Sequence, residues 1–178
     1  MSGLTPSQTV GPFFSIGLAW AEGWCVAMDP ARPRITLRGR VFDGDGVPVP
    51  DALIEIWQAD GEGRYHAERQ QGFCGAGRCA VDKQGMFCFE TSMPGPVCAP
   101  DGRLQAPHIN LLVLARGLLQ HLYTRVYFAM DAVAHDHDAV LACVPPTRRG
   151  TLIAQPVGKD HVFDIHLQGE HETVFFEL

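Results

Sequence analysis

The segment Pro107-His108-Ile109-Asn110-Leu111-Leu112 carries two polar side chains, two residues apart, in an otherwise apolar run. Successive side chains of a β-strand alternate between faces, so His108 and Asn110 point the same way. Two imidazoles at that spacing can reach one metal ion. Here the second position is a neutral amide, which rarely binds a transition metal. Tyr65 and the other histidines are the remaining candidate ligands by type. The "HDHD" run at 135–138 has ligand-like spacing but sits in a polar stretch that reads as a solvated loop. His161 and His166 have no carboxylate or second imidazole at obvious ligand spacing and read as structural. Cys74 and Cys79 in "CGAGRC" lack a second close pair to complete a zinc site. No Gly-x-Ser-x-Gly elbow, phosphate loop or HExxH motif occurs, which removes support for those enzyme classes.

Arg125, in "YTRVYF", is the cation best placed for recognition. On its strand it shares a face with His121, Tyr123 and Tyr127, a polar-aromatic row unlike a core face. A guanidinium offers a carboxylate two parallel charge-assisted hydrogen bonds. The residues alone leave two partners open, a substrate carboxylate or an acidic residue of the same chain.

The elements that must position these residues are strands. "ITLRGRVF" (35–42) and "DALIEIWQAD" (51–60) alternate apolar and polar positions, each followed by a Gly-rich turn. "CAVDKQGMFCFET" (79–91) reads as a hairpin around Lys83-Gln84-Gly85, and "HINLLVLA" with "LQHLYTRVYF" as a second across Arg116-Gly117. "HVFDIHLQG" and "TVFFEL" read as a third, and 145–155 as room for one short helix. Seven or more short strands predict an all-β chain, a β-sandwich. Residues 1–34 form a long arm ahead of the sandwich domain at 35–178, and 60–78 a long loop; such loops on a rigid scaffold often carry function.

Bulk properties agree with one domain. The chain has 178 residues, 46% hydrophobic and 19% charged, which excludes a disordered chain. A net charge of -6 with scattered basic residues argues against nucleic acid or an anionic membrane as partner. The N-terminus lacks a basic start followed by an apolar run, and no segment is apolar enough to span a bilayer, so a cytoplasmic location is expected. The six cysteines are then expected to stay reduced.

Five stretches, "TPSQTVGPFF" (5–14), "GRVFDGDGVPVPDALIEIWQADGEGRY" (39–65), "PHINLLVLARGLLQHLYTRVYF" (107–128), "RRGTLIA" (148–154) and "FDIHLQGEHETVFFEL" (163–178), resemble the intradiol ring-cleaving dioxygenases in order along the chain. The likeness is strongest to the metal-free alpha-type chains of that family. It implies a β-sandwich of the intradiol type and a non-haem Fe(III) site of two tyrosinates and two histidines. Carried over by position, those ligands fall on Tyr65, Val97, His108 and Asn110, and a catalytic arginine falls on Gln105. Valine cannot donate to iron, so the resemblance implies no metal and no catalytic residue in this chain. Iron would be held by a catalytic beta chain in a higher-order alpha–beta hetero-oligomer. The implied reaction is cleavage of 3,4-dihydroxybenzoate (protocatechuate) with O2 to 3-carboxy-cis,cis-muconate, in the beta-ketoadipate route of aromatic catabolism. The implied contribution of this chain is substrate contact through Arg125 and the arm residues Thr9, Gly11, Pro12 and Phe13. Tyrosine is expected at position 13, and Phe keeps the ring without the hydroxyl. Two other readings are a self-sufficient dioxygenase with replacement ligands, for which His66 and Asn110 are the candidates, and a non-catalytic scaffold sandwich.

Overall fold

In the computed structural model of the chain, residues 6–11, 13–19, 21–26, 29, 31–66 and 74–177 are described. Eleven strands dominate: β1 (Arg34–Phe42), β2 (Leu53–Gln58), β3 (Ala76–Ala80), β4 (Met86–Ser92), β5 (Val97–Cys98), β6 (Leu104–Gln105), β7 (His108–Leu114), β8 (Leu122–Phe128), β9 (Ile153–Val157), β10 (Asp160–Val162) and β11 (Ile165–His166). Among the described residues three short α-helices accompany them: α1 (Phe14–Leu18), α2 (Ala132–His135) and α3 (Ala139–Ala142). Among the described residues no helix is long and apolar enough to cross a membrane.

One continuous sheet runs β4-β1-β10-β9-β8-β7-β2-β3, with β11 extending the β10 side of β1. It wraps upon itself, and its inner face holds the core. Ile35, Leu37 and Val41 of β1, Ile54 and Ile56 of β2, Ile109, Leu111 and Val113 of β7, and Val126 and Phe128 of β8 all point into it. These are the alternating apolar positions read from the sequence, and their burial drives the fold. Gly39 interrupts the pattern of β1 because a Cβ there would lie 1.8 Å from the Phe163 carbonyl oxygen.

The β7–β8 hairpin forms as expected, in antiparallel register from His108↔Tyr127 to Val113↔Leu122. The hairpin expected at 79–91 does not. Its turn is present, with Asp82 accepting backbone bonds from Gln84 and Met86, but β3 pairs with β2 whereas β4 pairs with β1. The chain passes from one edge of the wrapped sheet to the other. Alternation tells which face a strand buries, not which neighbour it takes.

The third expected hairpin is also reduced. β10 and β11 both run parallel to β1, and the C-terminal segment returns through one backbone bond from Thr173 N–H to His166 O and a single bridge between Tyr123 and Phe176. Within 145–155, residues 149–152 make one 3-10 turn before β9.

The seam between the edge strands β3 and β4 is filled by part of the N-terminal arm. Arg78 N–H donates to Gly23 O, Glu90 N–H to Trp24 O, and Val26 N–H to Glu90 O, each at 2.8–2.9 Å. Val26 is buried in the main core. Unpaired strand edges invite non-specific pairing, and this segment satisfies both at once.

Candidate functional site

Period-two alternation gives β2, β7 and β8 a second face, opposite the core. It carries Glu55 and Trp57 from β2, His108 and Asn110 from β7, and Tyr123, Arg125 and Tyr127 from β8. Strand pairing sets Asn110 directly against Arg125 on one side and Trp57 on the other. The β5–β6 ribbon lies over this face, with Val97 opposite Gln105 in its ladder. Between them is a cavity of about 770 Å³, whose wall includes Trp57, Tyr65, Val97, Gln105, Asn110 and Arg125. The positions singled out from the sequence for metal and substrate chemistry in the body of the chain therefore converge on one place.

Tyr65 arrives from the loop after β2. Asp60 organises that loop, its Oδ1 accepting from the backbone N–H groups of Glu62 and Arg64, while its Oδ2 pairs with His66 at 2.7 Å. Burial opposes ionisation of Asp60, but the hydrogen bonds from His66, Arg64 and Glu62 outweigh it and hold the carboxyl at about 2. His66, the candidate replacement ligand, is thus engaged with Asp60.

Three of the four positions onto which the resemblance carries iron ligands, Tyr65, His108 and Asn110, join Tyr123 in a directed chain of hydrogen bonds. Tyr123 O–H donates to Asn110 Oδ1. Asn110 Nδ2 donates to the Tyr65 oxygen at 2.7 Å, Tyr65 O–H faces His108 Nε2 at 3.2 Å, and His108 Nδ1 faces Ala106 O at 2.8 Å. The direction follows from chemistry. A backbone carbonyl can only accept, so Nδ1 carries the proton and Nε2 accepts from Tyr65. Burial, reinforced by the charge of Arg125, pushes His108 down to about 4 and keeps the imidazole neutral. Burial likewise raises Tyr65, against the bond from Asn110, so its phenol stays protonated.

This donor set does not fit iron. Val97 offers no lone pair, Asn110 spends its amide on two tyrosines, and the lone pair of His108 Nε2 is directed at Tyr65 O–H. Among the described residues no three His, Cys, Asp or Glu side chains are grouped to hold a metal ion.

Arg125 lies beside these groups, half-buried. Its Nη1 donates to Gln105 Oε1 at 2.8 Å and lies 3.5 Å from the Tyr127 hydroxyl. Both partners are neutral, and among the described residues Arg125 makes no ion pair. Of the arm residues, Thr9 Oγ1 accepts from Gly117 N–H at 2.8 Å, at the β7–β8 turn and so at the far end of those strands from His108. Gly11 and Phe13 are exposed, Phe13 to 77%, and Pro12 lies outside the described residues. The described arm residues do not enter the cavity.

Asp138 is the residue that sequence reasoning missed. Within the "HDHD" run His135 ends α2 and Asp136 and His137 form an exposed turn, but Asp138 is fully buried and caps α3 through the backbone N–H groups of Val140 and Leu141. The same carboxylate accepts from Ala106 N–H at 2.8 Å and from Tyr127 O–H at 3.3 Å. It thereby anchors the residue whose carbonyl orients His108. The signal available was an Asp directly before the apolar "AVLA", an N-cap pattern.

The chain matches the family model described as Dioxygenase over residues 11–169. It is 43% identical over 196 residues to the protocatechuate 3,4-dioxygenase alpha chain of Burkholderia cepacia, covering 98% of this chain and 97% of that one. To the beta chain of the same enzyme it is 32% identical, over 82% of this chain and 68% of the other. Among solved structures it resembles catechol 1,2-dioxygenase from Pseudomonas arvilla C-1, with a TM-score of 0.64 at 26% identity over 82% of this chain and 55% of that one.

Proposed function

The chain belongs to the intradiol dioxygenase family, and from that premise we propose that it is the iron-free alpha subunit of a protocatechuate 3,4-dioxygenase. A beta chain of the same fold would carry the catalytic Fe(III), and together they would open the ring of 3,4-dihydroxybenzoate with O2. The observation that carries this reading is the state of the ligand positions. Val97 and Asn110 stand where donors are needed, and the hydrogen-bond chain through Tyr65 and His108 occupies the two groups that survive. A self-sufficient enzyme is disfavoured by the same bonds.

The contribution of this chain is substrate contact and assembly. Arg125 suits a carboxylate by charge and shape. Thr9, Gly11, Pro12 and Phe13 are proposed to wall the shared site from the outer part of the arm, ahead of the seam segment, which would pack on the beta chain. The exposure of Phe13 at 77% and Ile16 at 74% supports a covered surface for that segment.

The test is co-expression with a beta-type homologue. The complex should bind iron in proportion to its beta chains and consume O2 with protocatechuate, and the alpha chain alone should do neither. Stoichiometric iron with a tyrosinate charge-transfer band in the isolated chain would refute the assignment.

A further inference from the structure

We infer that Arg78 is the positioning residue of the N-terminal arm: it pins the segment ahead of the seam to the sheet before any partner arrives, with the apolar side chains of that segment turned outward. The inference rests on the reading above for the identity of the partner, a beta-type chain, and goes beyond it in saying what holds the arm ready.

Three bonds converge on this residue. Arg78 N–H donates to Gly23 O at 2.8 Å, within the seam. Its Nη1 donates to Leu18 O at 2.8 Å, the carbonyl at the end of α1. Its Nη2 is ion-paired with Glu55, the residue directly opposite in the β2–β3 ladder. A carbonyl in the last turn of a helix has no acceptor role left inside it, and a guanidinium supplies both a donor and a favourable charge there. Glu55 balances that charge and fixes the aim of the fork. It lies on the same face of β2 as Trp57, so the bonds register the arm against strands that carry the candidate site. Arg78 also holds both sides of a strained turn: Leu18 and Gly23 flank Glu22, whose φ of 58° is rare outside glycine. Such a conformation persists where its surroundings over-determine it.

The segment before Leu18 is anchored a second time, through Thr9 Oγ1 and Gly117 N–H. Between the two anchors Phe14 N–H donates to Gly11 O at 3.2 Å and Gly17 N–H to Phe13 O at 2.9 Å. A helix of five residues is not stable by itself in water, so its anchors hold it. Phe13 and Ile16, between them, stay exposed. A loose arm incurs its ordering cost when it binds, whereas a pinned one has met that cost in the free chain.

Hydrogen exchange on the full chain tests the anchor without a partner. Arg78→Met keeps the length and removes the fork. It should speed exchange of the Phe14 and Gly17 amides by about ten- to 150-fold, the range for a lost bond to a charged group, while β7 and β8 stay protected. Glu55→Gln should act in the same direction by a smaller factor. With a beta-type chain present, Arg78→Met should weaken association within the same range, and by a clearly smaller factor in an Ile16→Ser background. Unchanged exchange at Phe14 and Gly17 overturns the inference. Equal losses of association in both backgrounds also overturn it, because Arg78 then acts through the sheet and not through the arm. Failure of the unaltered chain to associate with a beta-type chain counts against the subunit reading alone, and the exchange measurement then decides the anchor.

Discussion

Replacement of Asp138 by Ala should destabilise the chain more than any exposed substitution and should loosen the site from behind. The carboxylate accepts four hydrogen bonds: from Val140 N–H at 2.8 Å, Leu141 N–H at 2.9 Å, Ala106 N–H at 2.8 Å and Tyr127 O–H at 3.3 Å. Loss of the helix cap costs about 1 kcal/mol. The Ala106 amide and the Tyr127 hydroxyl, both buried, are left without an acceptor, at about 1–3 kcal/mol each. The sum is about 3–5 kcal/mol once partial relaxation is allowed, or a fall in melting temperature of about 10–15 °C at roughly 3 °C per kcal/mol for a chain of this size. Asp138→Asn retains an acceptor for the cap but presents an NH2 to one of the other two donors, so it should fall between wild type and Ala. Denaturant unfolding of the complex, with subunit concentration fixed, measures both variants. A loss below about 1 kcal/mol for Asp138→Ala would refute the claim that this carboxylate organises the region.

His108 should make stability depend on pH. Its folded-state value of about 4 lies below the ordinary 6.5, so the unfolded chain binds the extra proton first. Stability should be full above pH 6.5 and decline as pH falls toward 4, by an amount on the order of 3 kcal/mol; His108→Asn should flatten that segment of the curve, and a slope identical to wild type would rule His108 out as its source. Gly77→Ala would place a Cβ 2.2 Å from Val26 Cγ2 and 2.7 Å from Gly23 O. It should release the arm from the seam, costing about 1–3 kcal/mol and exposing the seam segment 23–26 to limited proteolysis, and an unchanged digestion pattern would count against the seam.

Alternation made the faces of the sheet legible from sequence: Ile54, Ile56, Ile109 and Leu111 inward, Trp57, Asn110 and Arg125 outward. It also placed His108 and Asn110 on the site face, and position-by-position likeness added Tyr65, Val97 and Gln105. Partner choice was not legible. β3 and β4 share a tight turn yet belong to opposite edges of the sheet, because long-range pairing is settled by closure of the whole wrap and not by the turn between them. Asp138 escaped notice for a related reason. Polarity was taken as a sign of exposure, and a charged residue with four local and distant donors can be fully buried. The seam segment 23–26 reads from sequence only as part of the long arm 1–34, since its value lies in two edges that only the folded sheet creates.

The directed chain from Tyr123 through Asn110 and Tyr65 to His108 has a consequence for how such a site could ever change back. Each link fixes the next, so Tyr65, His108 and Asn110 support one another through bonds in which no metal takes part. Reversion of Asn110 to His alone would strip Tyr123 of its acceptor and Tyr65 of its donor while still lacking the ligand absent at Val97. The intermediate would be less stable than either end point and no better at holding iron. On the proposed assignment, a metal-binding form of this site therefore needs changes at 97 and 110 together, since neither alone supplies a complete ligand set and the one at 110 breaks two hydrogen bonds.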